Sequence, residues 1–169
     1  VATVDIGSFE SGFVVNSFLD TVDQNPGDGI NADANGQSTL RAAIMEANAR
    51  PGEDTIILGP GIFQLTLTGR HEDFRLNSTG NIQSSSETGD LDILDDLNII
   101  GAGTDLTFID AATIDRIFQV FAANPLHPNA AVNLKLSNLT LKNGNATSTD
   151  FGGAILNQGV TTLNNVVVV

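Results

Sequence analysis

The sequence predicts an all-β solenoid, with short parallel strands stacked in coils and one N-terminal α-helix closing an end. Three observations carry this. Only one segment has helical periodicity; almost everything else reads as short strands punctuated by Gly, Asn, Asp and Ser; and the strands resemble one another. Leu136-Ser-Asn-Leu returns as Leu163-Asn-Asn-Val, 27 residues on (163 − 136), and Leu91-Asp-Ile-Leu as Ile117-Phe-Gln-Val, 26 residues on (117 − 91). Periods of this size mark repeat architectures, in which one coil cannot bury its own face and must stack on the next.

The helix lies in STLRAAIMEANAR, where Leu40, Ala43, Ile44 and Ala47 fall at i, i+3, i+4 and i+7. Ser38 or Thr39 supplies the N-cap and Pro51-Gly52 the stop, giving a helix over about 39–49. One apolar stripe on three turns predicts a lid, not a core element. Strands are expected at Phe13–Phe18, Thr55–Leu58, Ile62–Thr68, Leu91–Leu94, Leu97–Ile100, Thr107–Ile109, Ile117–Phe121, Val132–Leu136, Leu139–Leu141, Ala154–Leu156 and Val166–Val169. Residues 1–54 form an N-terminal strand, an acidic turn loop and the helix. Residues 55–169 form the coils, with loop excursions near 70–89, 122–131 and 143–152. The rival fold, an antiparallel sandwich with one helix, lacks a clean two-residue hairpin signal.

Composition narrows the function classes. The chain has 169 residues, enough for one domain with a real core. Seven Lys and Arg stand against 20 Asp and Glu, a formal charge of −13 that disfavours nucleic acid and anionic membrane surfaces. Cysteine is absent, so disulfides and thiolate chemistry are excluded. No apolar run approaches the roughly 18 residues of a membrane span. The start, VATVDIGSFESGFVV, lacks the regions of a signal peptide, so an exported form would already be processed or be an internal piece. All nine aromatic residues are Phe, without the amphipathic rings that sugar-binding surfaces use.

The run DTVDQNPGDGINADANGQSTLRAAIMEANARPGEDTIIL resembles the N-terminal domain named for its Cys-Ser-Leu-Arg-Glu-Ala signature, found in bacterial secreted and surface β-helix proteins. Ser38-Thr39-Leu40-Arg41-Ala42-Ala43 is a degenerate match to that signature. Downstream, LDILDDLNIIGAGTDLTFIDA and LSNLTLKNGNA…FGGAILNQG resemble pectin-lyase-like coils. The resemblance implies a right-handed parallel β-helix with an N-terminal capping helix and an extracellular or cell-surface location. It implies no single activity, because such folds host lyases, hydrolases, adhesins and passive stalks. Two positions that often carry cysteine in such proteins are Asn31 and Ser38 here, so a covalent staple between them is impossible.

Asn31-x-Asp33-x-Asn35-Gly36 opens like an EF-hand calcium loop, but the twelfth position, a bidentate Glu in that motif, is Ala42. Asp20, Asp23 and Asp28 lie upstream and complete a candidate oxygen cage for a structural calcium ion. The competing reading is that Asp, Asn and Gly are present because they make turns and cap a helix. For polysaccharide cleavage the weak catalytic candidates are Asp95, Asp96 and Arg116, with Asp90, Asp92, Asp110 and Asp115 nearby. Asp95 and Asp96 are adjacent, and neighbours on a strand point to opposite faces. The same aspartates serve equally as turn caps on the outside. His71 and His127 fall in expected surface loops. Asn77, Asn138 and Asn145 head short glycosylation-like triplets better explained as stacked turn asparagines.

Val166, Val167, Val168 and Val169 form an apolar edge with no polar cap. Further coils or a second subunit are expected there, by end-to-end stacking or by addition of an early strand such as Val1–Ile6. The function expected is a structural or adhesive module with a filament-forming tendency. A surface polysaccharide is the second partner class, and the alternative is the capping part of a β-helix polysaccharide lyase or hydrolase.

Overall fold

The structure, a computed structural model, describes residues 12–69, 75–76, 82–83, 85–123, 130–146 and 152–169. His71, His127, Asn77 and the segment Val1–Ile6 lie outside the described residues. Strands form where β-branched and aliphatic residues cluster: β1 (Phe13–Val15), then helix α1 (Leu40–Ala49), β2 (Asp54–Leu58), β3 (Gly61–Gln64), β4 (Arg75–Leu76) and β5 (Ile82–Gln83). A 3₁₀ turn at Ser85–Glu87 leads to β6 (Leu91–Ile93), β7 (Leu97–Ile100), β8 (Thr107–Asp110), β9 (Phe118–Val120), β10 (Asn133–Lys142), β11 (Ile155–Asn157) and β12 (Val160–Val168).

The expected right-handed solenoid is not the architecture found. One seven-stranded, parallel sheet runs β1-β2-β7-β10-β8-β3, with β12 on the other side of β10, and curves as a half-barrel. A second parallel sheet holds β11-β9-β6, and β4 pairs antiparallel with β5. The strand β10 is the hub. Its first half pairs with β7, its second half with β8, and nearly its whole length with β12. The two strands expected at 132–136 and 139–141 are therefore one.

Parallel pairing asks only that a chain return beside its neighbour after a crossover, not that every crossover have one length. The 27-residue offset is real where it was read, since Leu136 pairs with Leu163. Leu91 pairs with Phe118, one residue beyond the expected Ile117. Elsewhere Asp54 meets Leu97, 43 residues on (97 − 54), and Ile62 meets Phe108, 46 residues on (108 − 62). No single period runs through the chain, and the repeat inferred from two pairs does not extend to a regular stack.

A corner in β10 makes the half-barrel possible. Asn138 takes φ 55°, the left-handed region that Asn tolerates better than other side chains, and Asn165 in β12 matches it at φ 52°. Asn165 Nδ2 donates to Asn138 Oδ1 at 2.9 Å, so the two kinks stay in register. Opposite the corner sits Gly101, where an added Cβ would lie 2.3 Å from the Asn138 carbonyl oxygen. The chain can approach this closely only because Gly has no side chain.

The helix also departs from its expected role. Thr39 is the N-cap, accepting from the Ala42 N–H at 3.1 Å, and Arg50 closes the other end. Yet every residue from Leu40 to Ala47 is buried, including Arg41 and Glu46. Leu40, Ala43, Ile44 and Ala47 join the sheet core as the periodicity predicts. The polar side chains are enclosed as well, by the acidic loop and the 86–92 segment, because each has a full set of partners there. This is a core helix, not a lid. Among the described residues, no helix is long and apolar enough to cross a membrane.

Candidate functional site

Two places concentrate unfinished chemistry: the acidic loop leading to α1, and the open side of β12.

In the loop, the six expected calcium ligands separate. Asp20 is taken up elsewhere. Its carboxylate receives Arg41 Nε at 2.5 Å and Nη2 at 3.1 Å, and Oδ2 also accepts the Thr66 and Leu67 N–H groups at 2.6 and 2.9 Å. Asn31 donates Nδ2 to the Ser38 hydroxyl, so the two positions that could have formed a covalent staple are joined by a hydrogen bond instead.

Asp33 is saturated. Oδ1 accepts the Asn35 and Gln37 N–H groups at 2.8 and 2.9 Å, and Oδ2 the Thr21 hydroxyl at 2.9 Å. The Gln37 N–H, with the Asn35 N–H and Thr21 hydroxyl, outweighs the cost of burial and holds the carboxyl below its usual value. Asn35 serves here as a donor to Asp33.

Asp23 and Asp28 differ. Asp28 Oδ1 accepts the Ile30 N–H at 2.8 Å. Asp23 is 5 % exposed; Oδ1 accepts the Asn25 N–H at 2.8 Å, and Oδ2 is buried with no hydrogen-bond partner. Burial pushes this carboxyl up to about 6, against the pull of the Asn25 and Ala32 N–H groups, and the nearby negative charges of Glu46 and Asp28 add to the rise. Asp23, Asp28 and Asp33 line a cleft of about 220 Å³ together with Asn25, Ala32 and Gly36. Among the described residues, no three His, Asp or Glu side chains converge in a group that could hold a metal ion.

Glu46 was missed by the sequence reading. Its carboxylate accepts the Gly27 and Gly29 N–H groups at 2.5 and 2.6 Å and so moors the loop to the helix. Nothing in the helical periodicity singles it out.

The catalytic candidates do not converge. Asp95 Oδ1 accepts the Asp96 N–H at 2.8 Å and Oδ2 the Gly52 N–H at 3.2 Å. Asp96 turns to Asn133, accepting its N–H at 2.8 Å and its side-chain amide at 3.0 Å. Arg116 is a strand away, with Nε 2.5 Å from Asp90 Oδ2 in a buried pair. Burial raises the Asp90 carboxyl against the pull of Arg116. Asp90, Asp92, Asp110 and Asp115 are buried and not solvated on the outside as expected, although Asp110 Oδ1 does cap a turn by accepting the Ala112 N–H at 2.9 Å.

No family model, curated protein or solved structure matches this chain.

The second place is β12. Across the sheet one row of inward side chains runs Phe13, Ile56, Ile99, Leu136 and Leu163. The first four are buried, and Leu136 is 1 % exposed; Leu163 is 48 % exposed. Val168, in register with the buried Leu141, is 51 % exposed. Of the expected edge residues, Val166 packs partly against the core, whereas Val167, Val168 and Val169 are exposed. Thr161 Oγ1, on the same strand, is buried without a hydrogen-bond partner. Among the described residues β12 pairs only with β10.

Proposed function

We propose that this chain is an extracellular or cell-surface structural module that associates with a second copy of itself along β12. The observation that supports this best is the core row that reaches solvent at Leu163. Apolar side chains that are buried on four strands give way to a half-exposed one on the fifth. Residues 152–169 contain no charged side chain in a protein of net charge −13. This is the surface on which two copies can meet without apposing carboxylates, because like charges at an interface cost several kcal/mol. Edge strands that must stay unpaired usually carry Lys, Pro or a bulge; β12 carries neither Lys nor Pro. A second strand laid on β12 would bury Leu163 and Val168. The surface location rests on the similarity of the helix entry to exported proteins. Adhesion to a surface polysaccharide fits the same setting. Polysaccharide cleavage draws no support from Asp95, Asp96 and Arg116, whose side chains are each bound in a different place.

Light scattering over a wide concentration range tests the association. The expected result is a monomer that gives way to a dimer or longer assembly, and a Leu163→Lys/Val168→Lys variant that stays monomeric with an unchanged melting temperature. A wild-type chain that stays monomeric at the highest concentration, or a variant that associates equally well, contradicts the proposal.

A further inference from the structure

The two ends of the main sheet differ in a way that limits what β12 can meet. At the β1 end the apolar row is already closed. Phe13 and Val15 are buried in one core with Leu40, Ala43 and Ile44 of α1. The neighbouring edge strand β3 is covered as well, its Phe63 ring buried against Phe18 at a centroid distance of 5.1 Å. Main-chain groups there are also occupied: the Asn16 and Ser17 N–H groups donate to the Ser38 carbonyl, and those of Thr66 and Leu67 to Asp20. At the β12 end, by contrast, Leu163 and Val168 stand half-exposed.

The pattern along β12 is symmetric. Its inward positions are those in register with the buried Leu134, Leu136, Leu139 and Leu141, namely Thr161, Leu163, Val166 and Val168. The corner at Asn164-Asn165 falls at their midpoint, so Leu163 mirrors Val166 and Thr161 mirrors Val168. A half-turn about an axis through this corner exchanges the two limbs of β12 and keeps inward side chains inward.

We propose that two copies join about a two-fold axis at Asn164-Asn165, with β12 antiparallel to β12, and that assembly stops at this dimer. This rests on the reading that β12 is the contact, and adds which surface of the partner meets it. Leu163 of each copy then opposes the partner's Val166, and Thr161 the partner's Val168. A contact that uses the same patch on both copies leaves no free β12 to recruit a third chain. Its centre holds two asparagines and no carboxylate, which suits the meeting of two chains of net charge −13. Head-to-tail addition of β12 to the β1 end would instead set its inward side chains where α1 and Phe18 already sit.

Cross-linking and light scattering of the whole chain test this together. The chain has no cysteine, so single substitutions report without background. Directly opposed residues of an antiparallel pair have Cα atoms about 4.5–5.5 Å apart, inside the range a disulfide spans. An equimolar mixture of Leu163→Cys and Val166→Cys chains, mildly oxidised, should form linked dimers at least about tenfold faster than either variant alone. Thr161→Cys mixed with Val168→Cys should behave alike. Light scattering of the wild-type chain should level off at two chains as concentration rises. Masses that grow past two chains, or mixtures that cross-link no faster than their components, would overturn the two-fold arrangement while leaving association along β12 standing. A wild-type chain that is monomeric at every concentration would overturn that association and this inference with it.

Discussion

Replacing Arg41 by Met should remove a large share of this protein's stability. Arg41 is fully buried; it forks onto Asp20 and also donates to the Ser86 and Gly89 carbonyls at 2.8 and 2.9 Å. It thereby joins α1 to the loop before it and to the segment entering β6. Removing one partner of a buried pair costs about 3–5 kcal/mol, because the other charge stays behind. Asp20 keeps the Thr66 and Leu67 N–H groups, which places the loss near the lower end of that range. The two stranded carbonyls add about 1–3 kcal/mol each only where water cannot reach them. A total of about 4 kcal/mol is a large fraction of the roughly 5–15 kcal/mol that holds a domain together. Arg41→Lys should lose nearly as much, since an ammonium cannot span both Asp20 oxygens and two carbonyls. Urea unfolding of Arg41→Met, Asp20→Asn and the double variant measures this as a cycle. The double variant should recover at least about 1 kcal/mol relative to additivity. A loss below about 1 kcal/mol in Arg41→Met, or a strictly additive cycle, would refute the reasoning.

Two further predictions concern the sheet. Asn138→Val should destabilise by about 1–3 kcal/mol, because a β-branched residue is strained at φ 55°, whereas Asn138→Gly should cost only the bond to Asn165, about 1 kcal/mol or less; denaturant titration separates them. Asp110 is disfavoured as an anion by burial, but Asn143, the Ala112 N–H and Lys142 outweigh this and hold its carboxyl below 3.8. Its contribution is complete at neutral pH and is lost as pH falls from 3.8 through the lowered folded value. Asp110→Asn should therefore be less stable than wild type at pH 7, with the two melting curves converging in acid.

Local structure was largely legible from local chemistry. The helix start at Thr39, its end before Pro51 and the positions of the strands follow from capping, breakers and β-branched runs. The architecture was less so. Offsets of 27 and 26 residues suggested a uniform coil, and both are 27 in the sheets, but strand neighbours elsewhere lie up to 46 residues apart (108 − 62), and crossover length leaves no local trace. Burial of charge was also hidden. Arg41 and Glu46 look like the outer face of an amphipathic helix, and only the folded loops reveal that their partners come from 17–48 residues away. The acidic loop was recognised as a place, yet its six oxygen-bearing residues have separate tasks that spacing could not assign. Asp20 is drawn to Arg41, Asn31 to Ser38, and Asp23 is left with an unpartnered oxygen.

The association along β12 is tested most directly by amide hydrogen exchange over Val160–Val168 at low and high protein concentration. If a second copy pairs with this strand, its outward amides should exchange rapidly in dilute solution and become protected as the assembly forms. The Leu163→Lys/Val168→Lys variant should stay unprotected at both concentrations. Exchange of Val160–Val168 that is indifferent to concentration, while light scattering reports assembly, would place the contact elsewhere and contradict the account.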